Sequence, residues 1–186
     1  MISIRNLTFA YGDKSVFADF SAELGAGITC VTGPSGAGKT TLLRLLAGLE
    51  TPQGGVLKGV PAPVSFLFQE DRLLPWCTAA ENVAAVLPAR EKARAKDFLA
   101  AVELGGEADR RPSELSGGQC RRIALARALA YPGALLLLDE PFKGLDPALT
   151  ERMCALLRAD GRPAVVVTHD HGAAALLNAA ELAIGA

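Results

Sequence analysis

Apolar and polar positions along the chain follow two spacings. Ile2 to Phe9 and Val16 to Leu24 read as strands, with Tyr11-Gly12-Asp13 as the turn between them. Ile28 to Thr32 is a short β-branched run that leads into a glycine-rich loop, and Thr40 to Leu49 follows as a helix. Leu42, Leu45, Leu46 and Leu49 fall at i, i+3, i+4 and i+7 there, which predicts one buried helical face. Val64 to Phe68 reads as a further strand, and residues 72–130 as mostly helical, with Ala95, Phe98, Leu99 and Val102 on one face. Charges between Arg90 and Asp97 occupy the other side, as on a solvated helix.

Leu135 to Leu138 and Ala164 to Val167 are unbroken apolar runs, which suit strands covered on both faces of a parallel sheet. Leu149, Met153, Leu156 and Leu157 predict a helix between them, and a last helix (172–180) and strand (181–185) are expected to close the chain. Alternating strands and helices imply an α/β layered fold with its site at the carboxyl ends of the strands. The polar punctuation sits at those ends: Gly33 to Thr41, Asp139-Glu140, and Thr168-His169-Asp170.

Composition narrows the class. The 186 residues carry 19 Lys+Arg against 20 Asp+Glu, a formal net charge of −1, which removes the electrostatic case for a nucleic-acid binder. Mean hydropathy is +0.26, yet no uncharged apolar run nears the ~18 residues of a membrane span. The N-terminus lacks the layout of a secretory signal, so a soluble, cytosolic single domain is expected. Cys30, Cys77, Cys120 and Cys154 are scattered without a C-x-x-C pair, which predicts reduced thiols.

Gly33-Pro34-Ser35-Gly36-Ala37-Gly38-Lys39-Thr40 matches G-x-x-x-x-G-K-[ST]. Glycines let the backbone fold until its N–H groups face a phosphate, and the next helix adds its positive end. Lys39 would reach the β- and γ-phosphates and the Thr40 hydroxyl would meet Mg²⁺. Asp139 and Glu140, delivered by a buried strand, supply a carboxylate for the Mg²⁺ water shell and one for the attacking water. Leu115-Ser116-Gly117-Gly118-Gln119 precedes a helix and offers a second anion site at its N-terminus. Two such sites in one small domain suggest a head-to-tail dimer in which each copy's pentapeptide closes on ATP held by its partner.

With these motifs in this order, the sequence resembles the nucleotide-binding subunits of ABC transporters over essentially its whole length. The resemblance implies a P-loop NTPase (RecA-like) core with a mostly parallel sheet, an N-terminal antiparallel β-subdomain and an inserted α-helical subdomain. It places the core at about residues 1–71 and 131–186 and the helical subdomain at about 72–130. It also implies that Tyr11 stacks on adenine, Gln69 contacts Mg²⁺ and senses the γ-phosphate, and His169 grips that phosphate. Thr41 joins the phosphate-binding set, and Gly144-Leu145-Asp146 matches the loop that communicates across the dimer. His171 has no such match and reads as a surface histidine.

Phe68-Gln69-Glu70-Asp71-Arg72-Leu73-Leu74-Pro75-Trp76 looks like the importer branch serving nitrate, sulfonates, taurine and thiamine-pyrimidine precursors. Membership would bring ATP and Mg²⁺ as cofactors and a second copy of the subunit as partner. Permease subunits and an extracytoplasmic solute-binding protein would complete the system, with the chain peripheral on the cytoplasmic face of the membrane. Trp76 is then either a core side chain or a permease anchor.

Only 30 residues separate Lys39 from Gln69, so the antiparallel part is expected to be trimmed, and the 17 residues after His169 leave no room for a C-terminal extension. The alternative reading is a soluble ABC-type ATPase in DNA repair, translation or cofactor assembly. The long heptad insertion of repair members is absent, and translation members carry two such domains per chain. A small-molecule kinase would leave Leu115 to Gln119 unexplained.

Overall fold

A computed structural model describes residues 1–185, and of residue 171 the backbone alone. Strands β1 (Ile2–Tyr11) and β2 (Lys14–Leu24) form an antiparallel hairpin through the turn at Gly12-Asp13. Strand β3 (Ile28–Thr32) leads through the glycine loop into helix α1 (Lys39–Leu46). Strand β4 (Gly54–Lys58), which the sequence pattern does not announce, pairs antiparallel with β1 and completes a three-stranded sheet in the order β2-β1-β4. Its Gly54-Gly55 start and mostly exposed residues erase the alternation by which a strand is recognised.

Strand β5 (Val64–Leu67) opens the stretch that carries helices α2 (Ala79–Ala84), α3 (Ala95–Ala101) and α4 (Gly117–Ala130). Residues 72–130 hold less helix than their composition predicts. Pro75, Pro88 and Pro112 and the Gly105-Gly106 pair break the segment into short helices, 3-10 turns and loops. Strand β6 (Leu135–Asp139), helix α5 (Pro147–Asp160), strand β7 (Ala164–Val167), helix α6 (His171–Leu176) and strand β8 (Ala180–Ala183) complete the chain. The last helix and strand end earlier than the sequence pattern predicts, around a turn at Leu177-Asn178.

All registered pairs of the second sheet, ordered β5-β6-β7-β3-β8, are parallel. Its central strands are buried on both faces, and the period-two rule divides them cleanly. Leu135, Leu137, Val165 and Val167 join Leu42, Leu43 and Leu46 of α1 and Ile4, Leu7 and Phe17 of the antiparallel sheet. Leu136, Leu138 and Val166 face the other way, against Ile123 and Leu125 of α4 and Met153 and Leu157 of α5. That second cluster runs on into Val83, Leu99 and Val102, so α2 and α3 share a continuous core with the parallel sheet through α4.

Leu49 departs from its expected place. Helix α1 stops at Leu46, Gly48 turns with φ 69°, and Leu49 is left exposed rather than on the buried stripe with Leu42, Leu45 and Leu46. Phe98 is only partly buried beside Ala95, Leu99 and Val102. The four cysteines are free thiols. Burial pushes Cys30 up to about 11 and Cys154 to about 12, which keeps both protonated.

Candidate functional site

The glycine loop leaves β3 at Gly33 and enters α1 at Gly38, and the backbone itself demands both glycines. Gly33 adopts φ 143°, and a Cβ there would lie 2.2 Å from the Ile184 carbonyl oxygen. Gly38 adopts φ 96°, where a Cβ would meet Val16 Cγ1 at 2.6 Å. Between them the Ala37 N–H donates to the Pro34 carbonyl at 3.2 Å. The first turn of α1 carries no acidic side chain and no side-chain cap, so its N–H groups remain available to an anion.

Lys39 is 6% exposed, and its ammonium donates to the carbonyls of Gly33 at 2.7 Å and Pro34 at 2.8 Å. An ammonium has three N–H groups, so one remains for an oxygen of a bound phosphate. One residue on, the Thr40 hydroxyl donates to Asp139 Oδ2 at 2.7 Å, joining the start of α1 to the end of β6. Burial raises the Asp139 carboxyl above its ordinary value, and the Thr40 hydroxyl partly offsets the rise.

Glu140 follows in a left-handed backbone conformation, φ 53°, unusual for a side-chain-bearing residue and a recurrent feature of functional turns. Its N–H donates to the Val167 carbonyl at 2.8 Å, which anchors the turn to β7. Burial raises its carboxyl, and His169 works against the rise from 3.4 Å, Nε2 to Glu140 Oε1. That contact is a close approach without hydrogen-bond alignment, and Oε1 is buried with no hydrogen-bond partner. The Glu140 carboxylate thus keeps acceptor capacity in the cleft.

Tyr11, Ser35, Gly36, Gly38, Lys39, Thr40, Thr41, Gln69, Asp139, Glu140 and His169 line one cleft of about 570 Å³. Gly33, Pro34 and Ala37 shape the loop from behind rather than line it. Tyr11 stands 45% exposed, edge-on to Phe9, with its hydroxyl donating to Glu50 at 3.2 Å. A ring face is therefore open to a planar ligand.

Ser116 to Gln119 sit elsewhere. Ser116 caps α4 by accepting from the Gln119 N–H at 3.2 Å, while Gln119 Oε1 accepts from the Ser116 N–H at 2.8 Å. This reciprocal box leaves the Ser116 O–H and the N–H groups of Gly117 and Gly118 for an outside anion. Gly117 and Gly118 line a second groove of about 470 Å³ with Glu70, Asp71 and Gly144, and none of the pentapeptide reaches the phosphate-loop cleft. Gln69 lines both. Asp146 caps α5 by accepting from the Leu149 N–H at 2.9 Å, and Gly144 approaches Gly118 closely.

Three basic side chains went unread in the sequence. Lys14 and Lys143 line the cleft, and Lys143 the second groove as well. Arg121, 3% exposed, donates to Phe68, Asp71, Asp139 and Glu140. No spacing singles out Arg121, because α4 is buried on nearly every face, at Ile123 to Ala126 and again at Ala128 to Ala130. The side chain of His171 lies outside the described residues.

A family model described as ABC transporter matches residues 18–143. Among curated proteins, the aliphatic sulfonates import ATP-binding protein SsuB of Pseudomonas fluorescens is 41% identical over 181 residues, covering 91% of this chain and 68% of its own length. The taurine import ATP-binding protein TauB of Pseudomonas entomophila is 43% identical over 190 residues, covering 91% and 73%. Among solved structures, the dimeric bacterial ABC transporter cassette MJ0796 superposes with a TM-score of 0.86 at 28% identity, covering 99% of this chain and 94% of that one. Its post-hydrolysis state bound to ADP and Pi gives 0.82 at 27% identity. With the phosphate loop, the acidic strand end and the signature helix arranged as described, the chain belongs to the ABC transporter family and is one of its ATPase cassettes.

Proposed function

We propose that this chain is the ATP-hydrolysing subunit of an import system, acting as a head-to-tail pair that drives a membrane permease for a small sulfonate- or taurine-type solute. The carrying observation is the division of labour between the two grooves. One cleft gathers a phosphate loop, an oxygen pair suited to a cation and a buried carboxylate, while Gly117 and Gly118, just after the Ser116 cap, line the other. A second copy, turned to face the first, would set its Ser116, Gly117 and Gly118 against ATP held by this chain's Lys39 and Thr40. No helix among the described residues is long and apolar enough to cross a membrane.

Each step follows from a group already in place. The loop amides and Lys39 hold the β- and γ-phosphates, and Tyr11 stacks on the base. The Thr40 hydroxyl and Asp139 carboxylate, 2.7 Å apart, are hard oxygens fit for Mg²⁺. Among the described residues no three His, Cys, Asp or Glu side chains cluster, which suits an ion completed by phosphate and water rather than by a carboxylate cage. Mg²⁺, when bound, neutralises charge developing on the phosphate oxygens. Glu140 accepts the proton of a water as its oxygen bonds to the γ-phosphorus and the bond to ADP breaks. Gln69 and His169 line the same cleft and would meet the γ-phosphate from the chain's own side. Glu140 must be ionised to act, and at neutral pH a carboxyl raised by burial is a better base than an exposed one.

Phosphate release from ATP–Mg²⁺, measured over a range of protein concentrations, tests the dimeric site. The rate per chain is expected to rise with concentration, because neither copy holds a complete site. A rate independent of concentration, or no hydrolysis, refutes the reading. Uptake of labelled taurine and of an alkanesulfonate by vesicles carrying the permease then decides the solute class.

A further inference from the structure

Buried arginines are uncommon because a guanidinium loses its hydration, and one survives inside a protein only when its five N–H groups find acceptors. Arg121 finds them on two segments far apart in the chain. Its Nη1 donates to the Phe68 carbonyl at 2.8 Å and to Asp71 Oδ1 at 2.8 Å, with a longer contact to the Gln69 carbonyl at 3.4 Å. Its Nη2 donates to the Asp139 carbonyl, and its Nε to the Glu140 carbonyl at 3.0 Å. Two consecutive carbonyls of the acidic turn are thus held by one rigid fork.

That turn is the strained one. Glu140 sits at φ 53°, and a side-chain-bearing residue stays there only where its surroundings enforce it. The Val167 carbonyl holds the Asp139–Glu140 peptide through its N–H, while Arg121 holds the carbonyl of that same peptide and the carbonyl of the next. A second arginine of the same helix repeats the device on the neighbouring loop. Arg127 donates to the carbonyls of Asp71 at 2.7 Å and Arg72 at 2.8 Å, and Arg72 is itself left-handed at φ 47°. Helix α4, which begins at the Ser116 cap, therefore grips both the Glu140 turn and the segment leaving Gln69.

We propose that Arg121 is a positioning residue for ATP hydrolysis, locking the left-handed turn that aims Glu140 and tying it to the helix whose N-terminus meets the partner's nucleotide. This role rests on the ATPase reading above. Lysine at this position keeps the charge but offers a single ammonium, which cannot bridge carbonyls on both the Phe68 and Glu140 segments in one plane. Misplacing a reacting group by about 1 Å can lower a rate on the order of a hundredfold.

The test is steady-state ATP hydrolysis by the full chain and by Arg121→Lys, with nucleotide binding and melting temperature measured on the same samples. The expected result is a fall in kcat of at least about tenfold, with KM for ATP within about twofold. Arg122→Lys is the structural control. Arg122 donates to the Val102 and Glu103 carbonyls, away from the cleft, and its loss is expected to lower the melting temperature while kcat per folded molecule holds. If Arg121→Lys does not fold, Asp71→Asn decides the matter. It removes the one charged acceptor of Arg121 at a half-buried position, and kcat is expected to fall about threefold at unchanged nucleotide affinity. Unchanged kcat in the folded variant, or a loss of kcat matched by lost nucleotide binding, overturns the proposal. A parent chain that hydrolyses no ATP overturns the ATPase reading instead, which separates the two failures.

Discussion

Replacing Trp76 with alanine separates an anchor from a core residue. Trp76 is 69% exposed, at the tip of the loop between Gln69 and α2. The loop beneath it is rigid. Asn82, fully buried, accepts from the Leu74 N–H at 2.7 Å and donates to the carbonyls of Leu74 at 3.1 Å, Cys77 at 3.3 Å and Thr78 at 3.0 Å. A large aromatic face is thus presented on a fixed platform, joined by a few residues to Gln69 in the cleft. About three tenths of its surface is covered, roughly 75 Å² of a ~250 Å² side chain, so truncation costs folding at most ~2 kcal/mol. A fully buried tryptophan would cost ~3–5 kcal/mol. For a chain of this length ~2 kcal/mol lowers the melting temperature by about 4–8 °C. Aromatic anchors in docking grooves commonly contribute ~2 kcal/mol or more to an interface, about a thirtyfold loss of affinity. Co-purification with the permease and transport by the assembled complex are therefore expected to suffer, while ATP hydrolysis by the free chain holds. A melting temperature lowered by more than about 10 °C, or undiminished permease binding, refutes the reasoning.

Three further substitutions test the phosphate loop and the acidic turn. Lys39→Ala is expected to abolish most binding of labelled ATP, since it removes the buried ammonium and leaves the Gly33 and Pro34 carbonyls without it; unchanged affinity would mean another site. Glu140→Gln is expected to bind ATP, hydrolyse it slowly and accumulate as dimers in ATP–Mg²⁺, read by light scattering. Because burial raises the Glu140 carboxyl, the acid limb of hydrolysis should lie above the ordinary glutamate range. The same sign holds for stability: a raised carboxyl destabilises the fold while ionised and ceases to as pH falls through its folded value, so the glutamine variant should melt no lower than the parent at pH 7. Gly33→Ala is expected to fold poorly, judged by soluble yield and melting temperature, because its Cβ would press on the Ile184 carbonyl at 2.2 Å; normal melting would show that β8 can shift to admit a methyl group.

Much of this molecule is local, and local features are legible in one dimension. The phosphate loop is read from its spacing because left-handed turns at Gly33 and Gly38 exclude other residues whatever surrounds them. Runs such as Leu135 to Leu138 announce a doubly covered strand, since only such a strand can bury both of its faces. Ser116 and Gln119 announce a helix start because the capping box closes within four residues. Other features depend on partners far along the chain. Strand β4 exists through its pairing with β1, and Leu49 is exposed because Gly48 turns the chain away from the stripe its spacing suggests. Trp76 could have been core or surface from sequence alone; the Asn82 clamp, which holds Leu74, Cys77 and Thr78 from beneath, decided for surface. Arg121 carries the same lesson into the site. Its acceptors lie 50, 53, 18 and 19 residues away, at Asp71, Phe68, Asp139 and Glu140, and no motif within α4 encodes an environment assembled only when β5, β6 and α4 pack together.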